Sequence, residues 1–283
     1  MNLQYRLLNV FTRNGESLSG NPLCVFEDGT GLDTDTMQAL ARQFNLSETT
    51  FLLPSQQANA RVRIFTPGYE MPFAGHPTLG SAYVCRALRL GGDWLRLELG
   101  AGVIPVAGQG ARWTLSANKP SWRECDLSRA QLATMLSLSP EEVADRPLWV
   151  STGKEQLIIP LSSTEAVRRA RPVVQAFEAV RSVDGQGMAY LFAPSAPGQV
   201  LCRFFFPQNS ALIEDPATGS ACANLGGWWL ALQRELPCEL TVSQGEQIGR
   251  PSTLYLNLSA SGEIRVGGDV IELGRGSIAL TES

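Results

Sequence analysis

The chain repeats part of itself, and this limits what it can fold into more than any other feature. Arg63-Ile64-Phe65-Thr66-Pro67 resembles Arg203-Phe204-Phe205-Phe206-Pro207, an offset of 203 − 63 = 140. Further on, His76-Pro77-Thr78-Leu79-Gly80-Ser81-Ala82 resembles Asp215-Pro216-Ala217-Thr218-Gly219-Ser220-Ala221, an offset of 215 − 76 = 139, so this reading loses one residue between the blocks. Two blocks in the same order at near-equal spacing are the mark of a duplication. A chain so built should form two like halves, and 283 residues suit two domains of ordinary size. The Pro-containing segment Asn118 to Ser121 separates the repeats. The expected domains are therefore 1–118 and 119–283, with the C-terminal tail able to return to the first.

Alternation of apolar and polar residues predicts strands over Ala60–Thr66, Trp94–Leu99, Trp113–Ser116, Gln156–Leu161 and Thr253–Leu258. Apolar residues three and four apart predict helices over Thr34–Phe44, Pro77–Leu90, Leu127–Leu138 and Pro216–Leu232. Each half thus holds several strands and one strongly apolar helix.

The charge balance excludes some functions. Lys plus Arg number 23 against 27 Asp plus Glu, a net charge of −4, which is not the basic stripe of a nucleic-acid binder. Six cysteines at 24, 85, 125, 202, 222 and 238 contain no C-x-x-C pair, and a single histidine is present to help ligate a metal, so no metal site is expected. The start Met1-Asn2-Leu3-Gln4-Tyr5-Arg6 lacks the basic-then-apolar order of a signal peptide, which gives the expectation of reduced thiols in the cytoplasm. The most apolar stretch, Ala221 to Leu232, is too short to span a bilayer and contains Asn224, so no membrane role is expected. Ser151-Thr152-Gly153-Lys154 lacks the earlier glycine of a phosphate-binding loop, Leu148 standing in its place. Gly245 to Gly249 is not a dinucleotide fingerprint either.

The repeated turn carries the chemistry. In both copies Pro is expected at the first helical position with a polar side chain, His76 or Asp215, before it as the N-cap. Small residues Gly80, Ser81, Ala82 and Gly219, Ser220, Ala221 are then expected in the first turn, leaving backbone N–H groups open to an anion that the helix dipole favours. Two such helix ends converging on one cleft would suit a carboxylate. Asp215 is also an ordinary cap, and Ser81 reads as a packing position. Glu48, in Asn45-Leu46-Ser47-Glu48-Thr49-Thr50-Phe51, falls in a loop ahead of an apolar strand from Thr50 to Leu53. Delivered into a dry cleft, its ionised form would be disfavoured, poising it to take and return a proton.

Five motifs in this order resemble the PhzF-like family of phenazine-biosynthesis isomerases, related in fold to diaminopimelate epimerase and proline racemase. They are Gly20-Asn21-Pro22 followed by Val25-Phe26, then Ser47-Glu48-Thr49, Phe73-Ala74-Gly75-His76-Pro77-Thr78, Glu214 to Ala221, and Gly249-Arg250-Pro251-Ser252. The resemblance implies an α+β fold of two pseudo-symmetric domains, each a curled sheet around a central helix, with the site at their interface. It implies Glu48 as the acid/base, with His76, Asp215 and Ser220 binding the substrate and Gly75, Gly219 and Asn21 lending contacts. It also implies a small carboxylated substrate of the trans-2,3-dihydro-3-hydroxyanthranilate kind, no cofactor, and a homodimer. For Asn21, the Gly-Asn-Pro context reads equally as a turn.

The related racemases use two facing cysteines, one from each repeat. Neither turn here holds a cysteine, and Cys85 and Cys222 fall within the following helices, where small buried thiols are the ordinary reading. The alternatives to an isomerase with one shuttling base are an epimerase that works without thiols and an inactive binding protein of the same fold.

Overall fold

A computed structural model of the chain describes residues 1–144, 146–208 and 211–280. It divides into two compact units, Met1–Ser116 with the segment from Gly267 onward, and Ala117–Val266. The sheet-and-helix content of each is α+β. The division falls at Ser116/Ala117 rather than after residue 118, and the tail belongs with the first unit because its strand pairs there.

In the first unit the elements are β1 (Asn2–Val10), β2 (Asn21–Phe26), α1 (Thr34–Phe44), β3 (Glu48–Leu53), β4 (Ala60–Phe65), β5 (Glu70–Met71), α2 (Gly75–Ala87), β6 (Trp94–Leu99), β7 (Gly102–Gln109) and β8 (Arg112–Ser116). Strand β2 runs parallel to β3, β3 antiparallel to β4, and β4 both antiparallel to β5 and parallel to β6. Helix α2 buries Leu79, Ala82, Val84 and Cys85 and packs against β1, β2, β3, β4, β6, β7 and β8, so the sheet curls around it. A helix apolar on all sides has no stable place except such a core. Its closest approach is at Gly80, where a Cβ would lie 2.4 Å from Leu23 Cδ2. Helix α1 is amphipathic instead and covers the sheet from outside, setting Met37, Leu40 and Ala41 on Phe26, Phe51 and Phe65. The Asp33 side chain caps its start by accepting from Thr36 N, and Asn45 ends it in the left-handed conformation at φ 51°.

The second unit holds β9 (Ser121–Glu124), α3 (Arg129–Leu136), β10 (Leu148–Ser151), β11 (Glu155–Pro160), α4 (Thr164–Arg169), α5 (Val174–Phe177), β12 (Ala189–Ala196), β13 (Gln199–Gln208), β14 (Ala211–Asp215), α6 (Gly219–Ala231), β15 (Cys238–Gln244) and β16 (Ser252–Leu258). Its pairings follow the same order, β11 parallel to β12, β12 antiparallel to β13, and β13 antiparallel to β14 and parallel to β15. Helix α6 is the apolar inner helix, against β9, β10, β11 and β16. The outer core joins Leu132 and Leu136 of α3, Val167 of α4 and Phe177 of α5 to Leu157, Leu191 and Phe205. The final strand, β17 (Ile264–Ala279), leaves this unit at Val266 and pairs antiparallel with β1, from Val10↔Val270 to Asn2↔Ala279.

The duplication is present, but its second block is read out of register in the sequence. Cα pairing matches Phe65↔Glu70 with Phe205↔Glu214, and Ile64↔Met71 with Phe204↔Asp215. The inner helices then start at Gly75 and Gly219, 219 − 75 = 144, and end before the left-handed residues Arg89 and Gln233, 233 − 89 = 144. The offset is thus 140 up to the hairpin and 144 after it, not 139. His76 is therefore the counterpart of Ser220, and Asp215 that of Met71. The shared pattern is Glu-x-Pro-x-x-Gly, at Glu70-Met71-Pro72-Phe73-Ala74-Gly75 and Glu214-Asp215-Pro216-Ala217-Thr218-Gly219.

Each hairpin is locked the same way. Arg63 forks onto Glu70 through Nε and Nη2 at 2.7 and 2.6 Å, and Arg203 onto Glu214 at 3.0 and 2.7 Å. Each guanidinium also lies over the ring two residues on, Phe65 at 5.0 Å and Phe205 at 4.7 Å. They differ in burial. Arg203 and Glu214 side chains are 7% and 8% exposed, Arg63 and Glu70 17% and 38%. Removing one partner of a buried pair strands the other charge, whereas a screened pair contributes little. Glu214→Gln is therefore expected to cost about 3–5 kcal/mol of stability and Glu70→Gln no more than about 1 kcal/mol, read from denaturant midpoints. Equal losses would show that burial does not set the strength of these forks.

Candidate functional site

In the first unit Glu48 is not in a loop; it is the first residue of β3, paired with Leu23 of β2. The left-handed Asn45 turns the chain out of α1 and into the strand, which fixes the backbone of Glu48. Its Oε2 lies 3.4 Å from Nε2 of His76, whose side chain is 6% exposed against 16% for Glu48. Asn21 opens β2 and is fully buried, with Ser47 Oγ 3.4 Å from its Oδ1. It is a strand residue as well as the end of a turn.

His76 is not an N-cap. Ala74 occupies that position in extended conformation with no side-chain cap bond, and His76 is the second residue of α2. Pro77 is the third, which the helix tolerates because the N–H groups of the first turn have no intrahelical acceptor. The helix ladder starts with Thr78 N donating to Ala74 O at 3.2 Å, so the N–H groups of Gly75 and His76 are left outside it.

Burial pushes the His76 imidazole down to about 3, against which a hydrogen bond to the Pro22 carbonyl pulls weakly upward. The ring is therefore neutral at pH 7, and its approach to Glu48 is not an ion pair although the distance would allow one. Among the described residues Nε2 has no hydrogen-bond partner, so the nitrogen that donates to Pro22 O is Nδ1. A neutral ring protonated on Nδ1 shows Glu48 a bare lone pair. A proton carried by Glu48 could thus be shared with Nε2, and a carboxylate there would face an acceptor.

In the second unit Asp215 ends β14 and Thr218, not Asp215, is the N-cap of α6. Pro216 lies ahead of the helix, consistent with the extended bias that proline imposes on the residue before it. The connecting turn is held by the buried Gln244, whose Nε2 donates to Asp215 O at 2.9 Å and to Thr218 Oγ1 at 3.0 Å. Thr218 Oγ1 in turn donates to Asp215 Oδ2. Gly245 follows at φ 79°, where a Cβ would lie 2.6 Å from Pro216 O. Ser220, the second residue of α6, accepts from Gln156 Nε2 at 3.0 Å.

Gly219, Ser220 and Ala221 do form a first turn, but Gly80, Ser81 and Ala82 lie deep within α2, where Ser81 Oγ donates to Thr50 Oγ1 at 3.1 Å. Cys85 and Cys222 are buried, the first pushed up to about 12 and the second well above its ordinary range by loss of solvent, so neither presents a thiolate at neutral pH. Among the described residues no group of three or more His, Cys, Asp and Glu is placed to hold a metal ion, and no helix is long and apolar enough to cross a membrane. Sequence reasoning missed Gln156, Gln244 and the role of Asn224. The one available signal was an amide inside an otherwise apolar helix.

His76 couples stability to acid. Between about 3 and the ordinary 6.5 the unfolded chain binds a proton that the folded chain refuses. Stability from this group is therefore complete above 6.5 and falls as pH drops through that window, by at most about 1.4 kcal/mol per pH unit. His76→Asn is expected to flatten this part of the acid limb in unfolding measured from pH 3 to 7. An unchanged slope would mean that the imidazole is not held neutral.

Residues 8–273 match the family described as phenazine biosynthesis-like protein, PhzC-PhzF. An uncharacterized isomerase of Pasteurella multocida is 38% identical over 97% of this chain and 93% of its own. The trans-2,3-dihydro-3-hydroxyanthranilate isomerase of Pseudomonas aeruginosa is 35% identical over 92% of each. Among solved structures, the PhzF-family phenazine biosynthesis protein of Bacillus anthracis has a TM-score of 0.84 at 24% identity, covering 99% of this chain and 100% of its own, a likeness of fold. With the match spanning nearly its whole length, the chain belongs to the phenazine biosynthesis-like PhzC-PhzF family and is an isomerase.

Proposed function

We propose that this isomerase moves a proton between two carbons of a small carboxylated carbon acid of the trans-2,3-dihydro-3-hydroxyanthranilate class, with Glu48 as the single shuttling base and no metal or organic cofactor. The observation that carries the reading is the placement of Glu48 Oε2 3.4 Å from a buried, neutral imidazole at the start of α2. The substrate class comes from the named relative in Pseudomonas aeruginosa.

The Glu48 carboxylate breaks a C–H bond and leaves the electron pair in the conjugated substrate. His76 Nε2 can accept a hydrogen bond from the carboxylic acid so formed, which holds the proton until a second carbon takes it back. Negative charge developing on the substrate needs donors already in place. The N–H groups of Gly75 and His76, outside the ladder of α2 at the positive end of its dipole, have that character. Asp215 is assigned to a substrate amine or hydroxyl, and Ser220, Gly219 and Asn21 to further substrate contacts.

Incubation with trans-2,3-dihydro-3-hydroxyanthranilate in deuterated water is expected to place deuterium on the receiving carbon in the share of turnovers in which Glu48 exchanges its proton with solvent, the remainder carrying the proton taken from the first carbon. Deuterium at an inverted single centre would favour the thiol-free epimerase instead. Glu48→Gln keeps the shape and removes the base, so turnover is expected to fall on the order of 10²-fold or more while binding largely survives. Near-normal turnover by that variant would move the base elsewhere. Turnover is expected to persist in a chelator, and loss restored by a divalent ion would refute cofactor independence.

A further inference from the structure

We propose that Gln156 and Asn224 are positioning residues that fix Ser220 as a hydrogen-bond donor toward the substrate; this rests on the substrate-contact role given to Ser220 above. The argument starts from two main-chain groups whose polarity is beyond choice. Asn224, fully buried in α6, accepts through Oδ1 from the Thr152 backbone N–H at 2.8 Å and from Thr152 Oγ1 at 2.8 Å. A backbone N–H can only donate, so the atom facing it is the amide oxygen. Nδ2 then donates to the Lys154 carbonyl, which can only accept, at 2.9 Å, and to Gln156 Oε1 at 2.8 Å. The orientation of the Asn224 amide is thus set by the turn Thr152-Gly153-Lys154, in the segment that the sequence offers as a failed phosphate loop.

Polarity passes along the relay. Gln156, buried in β11, shows its oxygen to Asn224 and so must turn its nitrogen to Ser220, where Nε2 donates to Oγ at 3.0 Å. Among the described residues this is the one hydrogen bond that Ser220 Oγ makes. A hydroxyl that accepts from a fixed donor has its own proton left to give. Ser220 is only partly buried, so that proton is available to a ligand oxygen. A buried amide pair that merely satisfied itself would not need to end on a partly exposed hydroxyl at the second residue of a helix.

Neutron diffraction from crystals grown in deuterated water reads this directly. The expected map puts a Gln156 deuteron on the line to Ser220 Oγ and the Ser220 deuteron off it; a Ser220 deuteron pointing at Gln156 overturns the proposal. Kinetics with trans-2,3-dihydro-3-hydroxyanthranilate supply the second arm. Gln156→Glu keeps the shape but, once ionised, draws the Ser220 proton inward. Its KM is expected to rise about ten- to a hundred-fold with a smaller change in kcat, and the defect is expected to shrink as the introduced carboxyl is protonated at lower pH. Should Gln156→Glu fail to fold, the neutron map of the native chain carries the test by itself. In the Ser220→Ala background Gln156→Glu is expected to add nothing to KM. A pH-independent defect, or one additive with Ser220→Ala, overturns the relay alone. Ser220→Ala with unchanged KM overturns the contact role of Ser220 and the relay with it. Absence of any turnover of this acid by the native chain sinks the proposed function, and the neutron map then decides the polarity by itself.

Discussion

The arginine–glutamate fork across each short hairpin is the constraint on which the start of each inner helix depends. Arg63 with Glu70 and Arg203 with Glu214 fasten the strand that ends just before an inner helix, and only three residues separate that strand from the glycine that opens the helix. With so little chain between, the position of the fork decides where Gly75 and Gly219 begin. In the second unit Arg203 also donates through Nη1 to the carbonyls of Val167 and Ala170 at 3.1 and 2.7 Å, so the cation satisfies the end of α4 as well. A buried guanidinium needs such partners for its remaining donors. Arg63 instead reaches the exposed end of α1 through Thr34 Oγ1.

Much of this fold is legible in the sequence because burial leaves a period. The strand Trp94–Leu99 is read to the residue, and the five others noted fall within two residues of their ends. The two inner helices are recognisable because an all-apolar run can be satisfied only inside a curled sheet. The register of the second repeat is not legible, for a physical reason. Helix starts favour the same few residues, proline and small polar groups, wherever they occur. Pro77-Thr78-Leu79-Gly80-Ser81-Ala82 therefore imitates Pro216-Ala217-Thr218-Gly219-Ser220-Ala221 while standing five residues away from its true partner. What does mark the partner is Glu-x-Pro-x-x-Gly, whose variable positions hold Met71 and Phe73 in one copy and Asp215 and Ala217 in the other. Only strand pairing reveals that match. The four residues that the second hairpin gains appear as the longer separation within its fork, 11 positions against 7.

Of the candidate site, the sequence identifies the residues but not how they are held. Glu48 and His76 lie 28 positions apart, 76 − 48 = 28, and nothing in their local patterns says that they meet. Their approach comes from β2 and β3 running parallel with Leu23 beside Glu48, while the carbonyl of Pro22, the neighbour of Leu23, accepts a hydrogen bond from the imidazole. Buried amides are different, since they announce themselves. Asn224 in the run Ala221 to Leu232 is a polar group that cannot remain unsatisfied without a cost of about 1–3 kcal/mol. It must therefore have partners on a neighbouring element, and the turn between β10 and β11 supplies them.

The corrected register gives the duplication a chemical meaning that the first alignment hides. His76 and Ser220 are equivalent, each the second residue of its inner helix and each engaged by the strand that opens the parallel pair of its own unit, β2 or β11. The strand sets them with opposite polarity. In the first unit a main-chain carbonyl accepts the hydrogen bond of Nδ1–H and leaves Nε2 as an acceptor. In the second, a side-chain amide donates a hydrogen bond to Oγ and leaves the hydroxyl as a donor. A symmetric pair of identical groups would suit a reaction that is the same from either side, as a racemisation is. One acceptor and one donor at equivalent places break that symmetry. The scaffold was duplicated, and the first hydrogen bond that each copy makes to its helix is where the copies became chemically distinct.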